Sequence, residues 1–338
     1  MRGRRPGQAF GVAVLEDFEV VSGGPPDRLF QAGSISKPVA ALAALELGAR
    51  GDLDLDADVN DRLTGWQLPG RRGVSLRQLL GHTSGLGVPF YPGYLQGAVV
   101  PTLRQSLDGG PPATTKPVRA GPGHSGRFRY SGGGYTVIQQ LISEVTGLPF
   151  AEAARALVLE PAGMASSTFG QPLPAGLRAA AARPDWRVYP EAAAAGLWTT
   201  PGDLARFAGA VAAAAAGRAS AVRPAAAAQL LTACTRVPAR GEWMMLPAFG
   251  LRRPEACGLG MFGFGEDRFG HIGGAAGFFS ILVGSWHDGR GAVVMTAGNP
   301  SPFPFRLLRA ISDERGWTGF RPRGWPRSRR KPAAETGV

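Results

Sequence analysis

Apolar positions recur along this chain with two periods, and the period changes partway. Phe10 to Ser22 is rich in Val and bounded by Gly23-Gly24-Pro25-Pro26, which predicts a strand or a pair of strands. From Leu29 the spacing turns helical, and the Ala/Leu run to Leu47 predicts a helix closed by Gly48 and Gly51. A short helix is expected over 74–80, capped near Ser75, and a Gly/Pro-rich loop region over 85–129. Further helices are expected from Tyr135 towards Glu144, over 150–158, over 203–216 after Thr200-Pro201-Gly202-Asp203, and over 224–232. In the last third the period becomes that of strands: Phe269 to Gly274, Phe278 to Trp286 and Ala292 to Ala297, with His287-Asp288-Gly289-Arg290 as a hairpin turn. A helix over about 303–313 closes the pattern.

This order of elements predicts an α+β fold: an antiparallel sheet flanked by N- and C-terminal helices, plus a helical subdomain. Residues 1–318 are expected to form one domain. The helical subdomain, about 55–255, would be inserted between sheet segments that meet in space. The Pro/Arg-rich stretch 319–338 is expected to be a disordered tail.

Composition narrows the classes. An apolar fraction of 44% is ordinary for a globular chain, and no run approaches the roughly 18 apolar residues of a membrane span. A net charge of +12 raises the question of nucleic acid. Only three of the 37 basic residues are lysine (Lys37, Lys116, Lys331), amid abundant Ala, Gly and Pro, so the charge reflects a bias of the whole chain. Six of the basic residues (Arg321, Arg323, Arg327, Arg329, Arg330, Lys331) fall in the tail. No nucleic-acid partner is expected. Two cysteines make no disulfide framework, and the four histidines show no metal-ligand spacing, so no metal or cofactor is expected. The N-terminus is basic with no apolar stretch behind it, which points to the cytoplasm and leaves an exported form open.

Three short motifs carry candidate chemistry. Ser34 and Lys37 form S-x-x-K at a helix start, where residues three apart share a face and a nitrogen can reach the serine oxygen. Tyr130-Ser131-Gly132 sits on a turn before a helix, where a tyrosine near Lys37 would serve as base and then acid. His271-Ile272-Gly273-Gly274 ends a strand, and a glycine-rich strand edge lets a substrate reach backbone N–H groups. Each motif alone reads first as structure: an N-cap serine, a core or surface aromatic, and a strand with tight turns. No G-x-S-x-G elbow of a lipase is present.

Taken in order, the three motifs resemble the signature elements of the serine β-lactamase-like (penicillin-recognising) serine hydrolases. They look most like the branch with class C β-lactamases, D-aminopeptidases and family VIII carboxylesterases. Leu29 to Pro38 resembles that family's nucleophile segment, Leu79 to Leu86 its H-T-S-G-L loop, Pro122 to Tyr135 the surroundings of its tyrosine, and Gly196 to Leu204 a later helix start. The likeness covers about residues 10–315.

The resemblance implies a β-lactamase/transpeptidase-like fold and an acyl-enzyme on Ser34, with Lys37 and Tyr130 handling the proton. Backbone N–H groups of Ser34 and Gly274 would hold the oxyanion; His271 and Gly273 would line the same edge. The implied substrates are small esters, amides or peptides. The alternatives are a D-Ala peptidase or β-lactamase, or an impaired relative that binds peptide or cell-wall fragments. The oligomeric state is not readable.

Three departures qualify it. Gly132 stands where the lactamases and peptidases usually carry asparagine, and His271 replaces the lysine of their K-T-G box. Both weaken the case for a β-lactamase. Only Gly23 to Arg28 separates the first strand from the nucleophile segment, and 183–190 is also short, so the wall behind Ser34 is expected to be thinner. Phe90, Tyr91 and Tyr94, with Trp186, Tyr189 and Trp198, are candidates for the pocket lining or for packing.

Overall fold

The computed structural model describes residues 9–23, 28–121, 126–238, 253–298 and 302–317. The expectations for 122–125, for 24–27 and for the tail beyond 318 therefore lie outside the described residues.

The strands are β1 (Phe10–Glu16), β2 (Glu19–Gly23), β3 (Phe30–Gln31), β4 (Tyr94–Leu95), β5 (Arg187–Val188), β6 (Trp198–Thr199), β7 (Thr235–Arg236), β8 (Ala256–Cys257), β9 (Phe262–Gly263), β10 (Arg268–Ala275), β11 (Phe278–Ser285) and β12 (Gly291–Ala297). The helices are α1 (Ser36–Arg50), α2 (Leu76–Leu80), α3 (Leu103–Asp108), α4 (Gly132–Thr146), α5 (Phe150–Ala154), α6 (Ala192–Ala195), α7 (Pro201–Ala215), α8 (Pro224–Leu231) and α9 (Pro302–Glu314). The fold is α+β, as the sequence pattern predicts.

One eight-stranded antiparallel sheet runs in the order β2-β1-β12-β11-β10-β9-β8-β7. Early and late strands thus share it, and Val14 lies opposite Ala292. Successive side chains of a strand face opposite ways. On β11 and β12, Phe278, Leu282, Val293 and Met295 join the large core that includes α1 and α7. Ile281, Val283 and Val294 face the other way, against Phe305 and Leu308 of α9. A strand covered on both faces reads as a continuous apolar run, which is how β11 and β12 appear in the sequence.

Helix α1 is the hub. Every residue from Ser36 to Leu47 is buried, so it shows no polar face, as befits a helix enclosed all round. It ends where Gly51 adopts φ 85°, its N–H returning to the Gly48 carbonyl at 3.0 Å. Helix starts follow their caps: the Thr200 hydroxyl accepts from Asp203 N at 3.1 Å at the head of α7, and Ser131 from Gly134 N at 3.0 Å at the head of α4. Among the described residues no helix is long and apolar enough to cross a membrane.

The pattern passed over α3 and the strands β7 to β9. Helix α3 is six residues long inside a Gly/Pro-rich region, marked only by its capping box of Thr102 and Gln105. The three strands are two residues each, too short to display a period.

Candidate active site

The segment that carries Ser34 is clamped from both sides. Leu29 N donates to the Ala180 carbonyl at 2.8 Å, β3 pairs with β6, and Ala32 N donates to the Leu197 carbonyl at 2.9 Å. Ser36 Oγ donates to the Gly33 carbonyl at 2.6 Å and accepts from Leu197 N at 2.9 Å. From Leu29 to Leu47, Ser34 is the single residue that is not buried. It lies in the 3-10 turn Gly33–Ile35 that leads into α1.

Lys37, 2% exposed, sits one turn on. Its Nζ lies 3.3 Å from Ser34 Oγ and donates to the Ala194 carbonyl at 2.8 Å. The same nitrogen is 4.9 Å from the centre of the Tyr130 ring and 5.8 Å from that of Tyr135. Tyr130 is half-buried, whereas Tyr135 is fully enclosed and donates its hydroxyl hydrogen to the Leu80 carbonyl at 3.1 Å. Burial holds the Tyr135 hydroxyl well above the ordinary tyrosine range. Of the two rings, Tyr130 is the one placed to take part in chemistry.

Tyr130 is backed by a residue that the sequence motifs treat as loop structure. His82 is buried, with its ring 4.5 Å from that of Tyr130. Its Nδ1 accepts from Ser131 N at 3.2 Å, which leaves the ring proton on Nε2. Its carbonyl accepts from Arg129 N at 2.7 Å, so one residue holds both neighbours of Tyr130. His82 adopts φ 56°, an unusual conformation for a non-glycine. The signal in the sequence was the H-T-S-G-L loop itself.

The third motif meets the turn that carries Ser34 along strand β10. A Cβ on Gly273 would lie 1.8 Å from the Ala32 carbonyl oxygen. One on Gly33, where φ is 55°, would lie 2.5 Å from the Gly274 carbonyl oxygen. Both glycines are thus required for the close approach. The Arg268 carbonyl accepts from Phe264 N at 2.8 Å on the β9 side. In an antiparallel ladder alternate residues turn their amides to alternate sides, so Ile272 and Gly274 present theirs away from β11. Strand β9 pairs only with Phe269 and Gly270, which leaves Gly274 on an edge beyond it.

His271 lies on the same face of β10 as Gly273, buried, with its ring 5.0 Å from Phe262 and 6.5 Å from Tyr130. Its Nδ1 is 2.8 Å from the Ile272 carbonyl, an acceptor, so Nδ1 carries the proton. Burial and then the nearby charge of Lys37 push its pKa down to about 3. His82 is lowered well below 6.5 by burial, then by Lys37 and His271.

A pH dependence follows. Both imidazoles have native pKa values below their unfolded ones, so the unfolded chain binds more protons as the pH falls. Their contribution is full above about pH 6.5 and is lost as pH drops below it, by about 1.4 kcal/mol per pH unit for each histidine. Urea midpoints should fall steadily between pH 7 and pH 5, and His271→Asn should make that fall shallower. Equal slopes in the two proteins would refute the assignment of a neutral His271.

Of the aromatic candidates, Trp186, Tyr189 and Trp198 are buried and pack in the core, with Trp198 5.5 Å from Trp186 and 5.7 Å from Phe278. Tyr91 and Tyr94 are also buried, whereas Phe90 is 49% exposed. The structure therefore brings Ser34, Lys37, Tyr130, His271, Gly273 and Gly274 to one place. To these it adds His82 and the Ala194 carbonyl, which has no side-chain signal to find.

The family model described as Beta-lactamase matches residues 2–314. The chain belongs to the β-lactamase family. That family is one of serine hydrolases, and the relatives carry esterase, penicillin-binding-protein and amidase names. Esterase EstB of Burkholderia gladioli is 34% identical over 157 residues, which are 42% of this chain and 39% of that protein. Penicillin-binding protein 4* of Bacillus subtilis (strain 168) is 31% identical over 166 residues, 46% of this chain and 33% of the relative. The matches thus span less than half the length of these curated relatives. Among solved structures, D-amino acid amidase from Ochrobactrum anthropi SV3 superposes with a TM-score of 0.70 at 21% identity, covering 90% of this chain and 94% of its own. The β-lactamase/D-alanine carboxypeptidase of Yersinia pestis gives 0.68 at 20% identity, covering 90% and 92%. These two likenesses establish the β-lactamase/transpeptidase-like fold.

Proposed function

We propose that this chain hydrolyses small neutral esters or amides through an acyl-enzyme on Ser34. The observation that carries this reading is the contact of Lys37 Nζ with Ser34 Oγ at the one opening of an otherwise buried segment.

Ser34 Oγ attacks the substrate carbonyl carbon, and its proton passes to the Lys37–Tyr130 pair. The Ala194 carbonyl fixes one Lys37 hydrogen, which aims the rest of the amine at Ser34 and Tyr130. The amides of Ser34 and Gly274 receive the negative charge on the carbonyl oxygen. The tetrahedral adduct collapses, the leaving group departs with the proton delivered through Tyr130, and the acyl group stays on Ser34. Water then attacks the acyl carbon by the reverse proton route, regenerating Ser34. No metal or cofactor enters this scheme.

A β-lactamase or D-Ala peptidase activity is less favoured. Such substrates carry a carboxylate, and the position of the anchoring lysine holds a buried, neutral His271.

An aryl alkylphosphonate tests the proposal. It should attach once, with release of the phenol, and peptide mapping should place the added mass on the fragment containing Ser34. Attachment elsewhere, or a folded protein that neither labels nor cleaves p-nitrophenyl acetate, would reject it in favour of the binding-protein reading.

A further inference from the structure

Gly132, the position of the missing asparagine, is closed by main chain. Gly132 N donates to the Pro89 carbonyl at 3.1 Å and Gly133 N to the Val88 carbonyl at 2.9 Å, so residues 88–89 lie hydrogen-bonded across the first turn of α4. A Cβ on Gly132 would stand 2.9 Å from the Pro89 oxygen and 3.3 Å from the Tyr91 ring. An asparagine side chain has no room there.

The same loop brings something in its place. Val88 adopts φ 57°, which a β-branched residue tolerates only where its surroundings enforce it. The next side chain but one is Phe90, whose ring centre lies 5.6 Å from that of Tyr130 and which is 49% exposed. Among the ring neighbours of Tyr130, His82, at 1% exposure, supports it from within, as does the buried His271 at 6.5 Å, whereas Phe90 stands open. Tyr91 behind it is anchored through its hydroxyl to Thr136 Oγ1 at 2.7 Å. A half-open phenyl ring held in a fixed position beside reactive groups is a preformed apolar contact for a ligand.

We propose that Phe90 forms a substrate subsite beside Tyr130 that takes an aromatic or branched apolar group, and that the enzyme selects uncharged esters bearing such a group over carboxylate-bearing ones. The inference rests on the hydrolase reading above and specifies its substrate class. The loop that excludes an amide side chain at 132 is the loop that supplies the ring. His271 acts in the same direction, since a neutral imidazole offers no full positive charge to a substrate carboxylate.

Two measurements test this. In the first, acid release from ethyl acetate, ethyl phenylacetate, benzyl acetate and monoethyl succinate is followed with wild type and Phe90→Ala. Wild type should favour at least one of the phenyl-bearing esters over ethyl acetate by about tenfold in kcat/KM and disfavour the succinate, and Phe90→Ala should erase most of the phenyl preference. An unchanged preference in Phe90→Ala, or a wild-type preference for the succinate, would overturn the proposal. It would leave Phe90, with the exposed Leu95 and Val99 further along the segment, as outer surface unrelated to substrate.

The second uses Ser34→Ala protein, which cannot acylate, and measures binding of the phenyl-bearing ester and of monoethyl succinate by calorimetry. The phenyl ester should bind more tightly, and adding Phe90→Ala should remove the difference; equal binding overturns the subsite. If wild type cleaves none of these esters while the binding preference holds, the hydrolase reading fails and the subsite stands.

Discussion

Replacing Ser34 with alanine is expected to lower hydrolysis of p-nitrophenyl acetate by about four orders of magnitude. Lys37→Met should lower it by about two to four. On the proposed mechanism Ser34→Ala removes the atom that would bond to the acyl group; Lys37→Met removes the nitrogen 3.3 Å from it and leaves a side chain of similar length. The two changes act on one step, so the double variant should be little worse than Ser34→Ala alone. Stability separates chemistry from damage. Lys37 is almost wholly enclosed, so removing its charge relieves a desolvation cost, while the Ala194 carbonyl loses its donor. Lys37→Met should therefore melt within a few degrees of wild type while losing activity. Loss of activity together with a large drop in melting temperature would point to structural damage instead.

The second large effect is expected at Gly273, with its neighbour Gly274 as the contrast. Gly273→Ala would drive a methyl group to 1.8 Å from the Ala32 carbonyl oxygen, a backbone atom two residues before the nucleophile. Neither segment yields freely, because Ala32 is bonded to Leu197 and β10 is paired along its length with β11. Forcing them apart should cost about 1–3 kcal/mol or more, and a misplacement near 1 Å should slow acylation about a hundredfold. A Cβ on Gly274 meets nothing within 4 Å, so Gly274→Ala should leave the melting temperature where it was. Thermal melts of the two variants, with the rate of phosphonate labelling, check the contrast. Equal stabilities would mean that the strand can withdraw from Ser34 without penalty.

What the sequence disclosed depended on how each feature is encoded. The long buried strands and helices are written in the period of their apolar residues, so β10 to β12, α1, α4 and α7 are placed correctly to within a few residues. Ser34 and Lys37 are legible because helical spacing alone brings them together. Tyr130 and His271 lie far from them in sequence, and only the ordered motifs link them. Three things were not legible. The Ala194 carbonyl is main chain and leaves no mark of residue type. The roles of the aromatics depend on exposure, and nothing in the letters distinguishes Phe90 from Trp186, Tyr189 or Trp198. The closure over Gly132 depends on a left-handed Val88, a conformation that a β-branched residue does not announce. Behind Ser34, where a thin wall is expected, Leu29 N donates to the Ala180 carbonyl and Ala182 N to the Leu29 carbonyl, just ahead of the short stretch 183–190.

The pairing of β1 with β12, and of the nucleophile turn with β10, has a consequence during synthesis. Ser34 leaves the ribosome about 240 residues ahead of Gly273 and Gly274. At ordinary elongation rates the interval is on the order of 10–50 s. Through that interval the β1–β2 hairpin has no partner on its β12 side, and the Ser34 turn lacks its contact with β10. The emerging chain therefore carries an open strand edge until β12 is made, and on the proposed mechanism its serine gains the Gly274 amide only when the later sheet strands zip into place.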